Sequence, residues 1–284
     1  MATFTATEYA VTLNIVTDTT EEKTILEACI SSKATPGRAL RILEAGCGNK
    51  WQLKLNDIEY TLSGVDIDAD AVSLRQSKFN DLDEVIIGDL REVALPEAAF
   101  DVIYTAYVLE HVSNVTRVLE NFSRWLKPGG VIIIKVPDRD SVYGFMARST
   151  PHWMHVYYYR LIKGNKNAGK PGYLPYPTVY DPALARRNIQ QYCQSHGLAV
   201  KATFGKNNYL RKRSARDRFI RVFAQLVNVF SFGRLAWHYN DLIYIIEKPT
   251  ADSQAAPTAA SPLANSEHTG TRHNSTVTPA RRPV

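Results

Sequence analysis

The chain has 284 residues, 45% of them hydrophobic, with a formal net charge of +6 and three cysteines. That length and apolar share suffice for one large core, so a chain disordered throughout is excluded and a single α/β domain with an appendage is expected. Cys29, Cys47 and Cys193 lack disulfide-framework and metal-ligand spacing, which excludes a disulfide scaffold and leaves no metal expected.

No basic stretch followed by a continuous apolar run opens the sequence, and no apolar run approaches the roughly 20 residues that span a bilayer. A cytoplasmic location is therefore expected. Residues 1 to 19 read as an N-terminal extension. Thr20 can cap a helix with Glu21 and Glu22 in its first turn and Ile25, Leu26, Cys29 and Ile30 on its apolar face. Mainly apolar runs at about 41 to 45, 61 to 66, 84 to 88, 100 to 106 and 130 to 136 read as buried parallel strands. Between the last two, Val115, Val118, Leu119, Phe122 and Leu126 recur at helical spacing, and Lys127-Pro128-Gly129-Gly130 terminates that helix. A loosened pattern follows from Asp138 to Tyr180, rich in Tyr, Pro, Gly and His. Regular structure returns as a helix near 182 to 196, a strand near 198 to 204, an amphipathic helix near 214 to 230 and a strand over 242 to 247. From about residue 250 the composition shifts to Ala, Thr, Ser, Pro and Asn, and a disordered tail over 250 to 284 is expected.

Two turns in this alternation carry chemistry. Arg41-Ile42-Leu43-Glu44-Ala45-Gly46-Cys47-Gly48 is an apolar strand ending in an acid and a Gly-x-Gly turn. Gly64-Val65-Asp66-Ile67-Asp68 ends a second strand in a carboxylate, with Asp66 eighteen positions beyond Gly48. Glycines admit a ligand to the backbone and a carboxylate accepts from ribose hydroxyls, so an adenosine-bearing cofactor is indicated. Asn49, Lys50 and Trp51 stand where a dinucleotide fingerprint needs its third glycine, and no Gly-x-x-x-x-Gly-Lys-Ser/Thr occurs. The turn suits a ligand with ribose but without phosphates.

Here the sequence resembles the class I S-adenosylmethionine-dependent methyltransferases. Glu44-Ala45-Gly46-Cys47-Gly48 is similar to their first motif, Gly64-Val65-Asp66 to the second and Gly88-Asp89-Leu90 to the third. Phe100-Asp101-Val102-Ile103-Tyr104 is similar to the fourth, and Leu126-Lys127-Pro128-Gly129-Gly130 to the lead into the fifth strand. The resemblance implies a Rossmann-like, doubly wound, mainly parallel seven-stranded sheet with helices on both faces, over residues 20 to 249. It implies S-adenosylmethionine as cofactor, with Gly46 and Gly48 beside its backbone-facing edge and Glu44 holding its ammonium group, often through water. Asp66 would accept from both ribose hydroxyls, a recognition worth on the order of 1.5 to 3 kcal/mol. Asp89 with the Leu90 backbone would meet the adenine amino group, Ile67 would cover its face, and Thr105, Ala106 and Tyr107 would face the methionine portion. Taken singly, Asp66, Asp68 and Asp89 read equally well as strand-end caps; their order favours cofactor binding.

Methyl transfer requires alignment and exclusion of water, and a base only when the acceptor must lose a proton. His111, in Leu109-Glu110-His111-Val112, is the first candidate, the alternative being that it only orders its loop. Asp138, His152 and His155 are further candidates. Thr105-Ala106-Tyr107-Val108 replaces the Asn/Asp-Pro-Pro-aromatic signature of adenine methylation, leaving oxygen or carbon acceptors on a small or lipid-linked molecule. Rival readings are an RNA or protein methyltransferase and a non-catalytic cofactor-binding partner subunit. The insertion over 138 to 180 would set acceptor choice, since loops at strand carboxyl ends surround the site in such folds; its Trp153, Met154, Tyr157, Tyr158, Tyr159, Tyr173, Tyr176 and Tyr180 either cover an acceptor or pack as a cap. A mobile tip is expected from Lys163 to Lys170. Arg211, Lys212, Arg213, Arg216, Arg218 and Arg221 gather ahead of an apolar stripe of Phe219, Val222, Phe223, Leu226 and Phe230. Residues 211 to 230 could contact an anionic membrane peripherally, but packing of the stripe on the sheet is the favoured expectation, and a nucleic-acid backbone is not favoured.

Overall fold

A computed structural model of the chain describes residues 13–48, 50–161, 164–170, 175–207 and 215–250. Outside them lie residues 1 to 12 of the extension, Asn49, Lys163, Tyr173, Arg211, Lys212, Arg213 and the tail beyond Thr250.

Strand β1 (Asn14–Val16) leads into helix α1 (Thr19–Ser31). Asp18, not Thr20, caps α1: its extended backbone lets its carboxylate accept from the Thr20 N–H at 3.2 Å. Strands β2 (Leu40–Ala45) and β3 (Tyr60–Asp66) precede helix α2 (Ala69–Phe79), with β4 (Glu84–Ile87) and β5 (Phe100–Ala106) beyond it. A 3₁₀ turn at Leu109–His111, helix α3 (Val115–Trp125) and strand β6 (Leu126–Pro137) come next. The insertion is more regular than its sequence suggested, for it holds helices α4 (Val142–Ser149) and α5 (His152–Leu161). Ser141 starts α4 by accepting from the Gly144 N–H at 2.9 Å.

The helix expected over 182 to 196 is divided. Asp181 accepts from the Ala183 N–H to hold a 3₁₀ turn at Pro182–Leu184, extended Ala185 breaks the run, and α6 (Arg186–Ser195) follows. Strand β7 (Ala199–Lys206), helix α7 (Ala215–Phe230) and strand β8 (Asp241–Glu247) complete the described fold.

The sheet order is β1-β7-β8-β6-β5-β2-β3-β4, parallel except where β8 runs antiparallel to β6 and β7. Seven strands are those read from the sequence; β1 is an eighth, pairing parallel with β7 at the edge. Helices cover both faces: Leu26, Ile30 and Val72 of α1 and α2 join one core layer, and Val118, Phe122 and Ile189 of α3 and α6 join the other. Sequential strands run outward from β2 to β4, then resume at β5 on β2's other side, which opens a crevice at the carboxyl ends of β2 and β5.

Helix α7 does not lay its stripe on the sheet. Ala224 is buried, whereas Phe219, Val222, Phe223, Leu226 and Phe230 are exposed, because the helix leans on α4 instead.

Candidate cofactor site

The end of β2 turns sharply, with the Gly46 and Cys47 N–H groups donating to the Val65 carbonyl at 2.8 and 3.0 Å. Gly46 has φ +75°, and a Cβ there would sit 2.2 Å from Val108, so glycine is required twice over. Gly48 is also left-handed, φ +51°, but a Cβ there would meet nothing within 4 Å. One Asp66 oxygen accepts from the Gly48 N–H (2.7 Å) and the other from the Asp68 N–H (2.9 Å), so the carboxylate ties the glycine turn to β3.

These groups border a cavity of about 860 Å³, lined by Glu44, Gly46, Gly48, Asp66, Ile67, Asp89 and Leu90 as well as Ala106, Tyr107 and His111. Ile67 is 72% exposed at its wall. Thr105 is not among the lining residues; it is buried in β5 beneath them. Tyr176, Pro177 and Val179 of the insertion close the cavity from above, Tyr176 lying edge-on to His111 with ring centroids 5.8 Å apart.

Two carboxylates are more engaged than the sequence indicated. Glu44 Oε2 accepts from Arg75 at 2.8 Å, and the same fully buried guanidinium donates to Asp81 and to the Cys47 carbonyl. Burial pushes the Glu44 carboxyl up, to about 8, against the pull of Arg75. Asp89 accepts from the Arg91 guanidinium and backbone N–H, which hold its carboxyl below the usual range.

Tyr107 keeps a left-handed backbone, φ +59°, an arrangement costing about 1–3 kcal/mol. Its hydroxyl donates to Asp241 at 2.7 Å, and Lys135 Nζ sits 5.1 Å from its ring centroid. Below lies a buried ionic network in which Glu22 of α1 accepts from both Lys135 and Lys206. Burial drives Lys135 down to about 8 and Asp241 up to about 6.

His111 Nδ1 is 2.8 Å from the Pro177 carbonyl; a carbonyl only accepts, so Nδ1 carries the proton and Nε2 the lone pair. Burial holds this imidazole below its ordinary value. Its neighbour Glu110 accepts the Val179 and Tyr180 N–H groups on its own carbonyl, fastening the insertion to the site. The Glu110 carboxyl is buried, one oxygen has no hydrogen-bond partner, and desolvation pushes it to about 8. Its protonated form therefore stabilises the fold fully below the unfolded value and loses that contribution as pH rises through about 8. Glu110→Gln should accordingly reduce the wild type's loss of stability between pH 5 and 9, a difference on the order of 3 kcal/mol at the alkaline end with the rest of the loss left to Glu44 and Asp241, measured by denaturant titration at both pH values. Parallel pH dependence in both proteins would refute the assignment.

The other candidates lie elsewhere. Asp138 is buried at the turn into α4, where its side chain accepts from the Asp140 N–H at 2.9 Å, and it borders a separate cavity with Arg139, Arg186 and Trp237. His152 is exposed at the start of α5 and does not line the cofactor cavity. His155 bonds within its own turn, its Nε2 lying 2.7 Å from Thr150 Oγ1. Tyr104, Gln52 and Arg91 line the cavity without having been given a role; the advance signal was that Tyr104 ends the fourth motif and Arg91 directly follows the third.

A family profile for a methyltransferase domain matches residues 23–167, just over half of the chain. The chain belongs to the methyltransferase-domain family. It is 32% identical over 99 residues, 34% of its length and 38% of the relative's, to a protein from Mycolicibacterium smegmatis described as an S-adenosylmethionine-dependent methyltransferase. Over 115 residues it is 28% identical to sterol 4-C-methyltransferase of Caenorhabditis elegans, covering 38% of this chain and 34% of that one. With demethylmenaquinone methyltransferase of Bacillus licheniformis it shares 25% identity over 126 residues, 42% of this chain and 52% of that enzyme. The matches thus span about a third to a half of these relatives. A solved structure described as a sarcosine dimethylglycine methyltransferase from Galdieria sulphuraria aligns with a TM-score of 0.50 at 12% identity, covering 81% of this chain and 86% of that one, a likeness of fold.

The cofactor of this methyltransferase domain is S-adenosylmethionine, and the residues fit it. Asp66 spends one lone pair per oxygen on backbone donors and keeps others for ribose hydroxyls. Exposed Ile67 offers an apolar wall for adenine, and the open space at Gly48 admits a ligand against the backbone. The volume lies within the range of small-molecule sites.

Proposed function

We propose that this methyltransferase-family protein transfers a methyl group from S-adenosylmethionine to a hydroxyl, and less readily to a carbon or carboxylate, of a small or lipid-linked molecule. Bound cofactor supplies a methyl group already activated by its sulfonium. Asp66, Ile67 and Asp89 orient the adenosine portion, and Tyr176, Pro177 and Val179 exclude water from above.

The observation that carries the hydroxyl reading is His111, a neutral imidazole on the cavity wall with Nδ1–H fixed on Pro177 and Nε2 able to take a proton. A carbon acceptor draws support from the partial likeness to a sterol 4-C-methyltransferase.

Because burial lowers the His111 pKa, the base-competent form prevails at neutral pH and is lost only in acid. S-adenosylhomocysteine formation should therefore be measured from pH 5 to 9 over a panel of sterols, quinone precursors and hydroxylated aromatics. Turnover should fall on an acid limb below the ordinary imidazole value of about 6.5, and His111→Ala should lower kcat by about 10²-fold or more while flattening that limb. An unchanged rate in His111→Ala would remove the base. Tight cofactor binding without turnover on any acceptor would favour the non-catalytic reading.

A further inference from the structure

Charge is distributed unevenly along the chain. Residues 141 to 240 hold sixteen Lys and Arg but only Asp181 and Asp217, a net of +14, whereas residues 1 to 140 carry a net of −8. The basic stretch is also where large apolar side chains face solvent. On α7, Phe219 is 73% and Phe230 80% exposed, and Val222, Phe223, Leu226 and Val229 continue the same helical stripe. Phe232, just beyond, is 91% exposed. Helix α4 lies against α7 and adds exposed Phe145 and Met146, and α5, joined to the end of α4 where His155 Nε2 lies 3.1 Å from the Ala147 carbonyl, exposes Trp153, Met154, Tyr157 and Leu161. Arg148, Arg160, Arg218, Arg221 and Arg234 are interspersed, with Asp217 the only acid among the three helices.

We propose that α4, α5 and α7 form a docking face for an anionic phospholipid bilayer, with the apolar side chains entering the acyl boundary and the arginines engaging lipid phosphates. Both components of the face have a counterpart in that surface: hydrocarbon for Leu226, Val229 and Phe230, and negative charge for the guanidiniums. Trp153 and Tyr157 have the amphipathic rings that settle at headgroup depth. A second copy bound face to face would place arginine against arginine, which opposes a symmetric dimer. A nucleic-acid backbone would satisfy the arginines but leave the aliphatic stripe in water. Among the described residues no helix is long and apolar enough to cross a membrane, so the contact is with the surface. The inference does not depend on which acceptor the enzyme methylates.

The test is sedimentation of the full chain with vesicles of phosphatidylcholine alone and of phosphatidylcholine containing a third phosphatidylglycerol. The protein should pellet with the anionic vesicles only, and less as salt rises. Arg218→Ala and Arg221→Ala should each lower the partition coefficient about fivefold. Phe219→Ser combined with Phe223→Ser should lower it about tenfold or more, since those rings would lose their apolar burial. Both positions are exposed, so circular dichroism melts should match the wild type. Failure to pellet with anionic vesicles at low salt would overturn the proposal. So would full retention of binding in the Phe219→Ser, Phe223→Ser protein, or a wild-type dimer that this variant converts to monomer.

Discussion

Replacing Asp66 by alanine should weaken S-adenosylhomocysteine binding about 100-fold, read directly by titration calorimetry. The carboxylate does two things at once: it holds the Gly48 and Asp68 N–H groups and faces the cavity where ribose hydroxyls would lie. Loss of charge-assisted hydrogen bonds to two hydroxyls is worth on the order of 2–3 kcal/mol, which is the hundredfold. Asp66→Asn retains one acceptor oxygen for the Gly48 N–H and should fall between wild type and alanine. Equal affinity in all three proteins would remove the ribose assignment, and no binding by the wild type would remove the cofactor site itself.

The largest expected loss of stability comes from Glu22→Ala. Glu22 is 1% exposed and is the shared acceptor of Lys135 and Lys206, which are themselves buried. Removing it leaves two desolvated ammonium groups close together, a cost of roughly 3–5 kcal/mol. Denaturant unfolding should show this as a lower midpoint. Glu22→Gln should lose less, because an amide oxygen still accepts from one lysine. A midpoint within experimental error of the wild type for Glu22→Ala would mean that the lysines find other partners. The same network reaches the cavity, since Lys135 lies over the Tyr107 ring and Asp241 anchors the Tyr107 hydroxyl. Destabilising it should therefore weaken cofactor binding as well.

The seven strands read from the sequence were legible because each is a mainly apolar run, as strands covered on both faces must be, and five of them close on or just before a glycine, proline or acid: Gly46, Asp66, Gly88, Pro137 and Glu247. The cofactor residues were legible for a related reason: φ above zero at Gly46 and the spacing to Asp66 are local requirements of the turn. Tertiary partnerships were not. Arg75 sits in a helix whose sequence reads as solvated, yet it is fully buried between Glu44 and Asp81. Glu22 reads as a first-turn acid favoured by the helix dipole, and nothing in its neighbours announces two lysines from β6 and β7. Periodicity found the stripe on α7 but could not say whether a sheet would cover it. Proline and tyrosine masked α4 and α5, while β1 is only three residues long and gains its identity from pairing with β7.

The strand order has an electrical consequence. It gathers residues 40 to 106, with thirteen Asp and Glu against six Lys and Arg, into β2 to β5 toward one edge, and places β7 with α6, which carry Arg186, Arg187, Lys201 and Lys206 and no acid, toward the other. Charges of opposite sign held apart by a rigid sheet make a permanent molecular dipole. Such a body experiences a torque in any external field, so near a negatively charged surface it would rotate with its basic end foremost before any contact forms. Its heading on arrival would be set by the order in which the strands are laid, at a distance where no individual side chain is yet recognised.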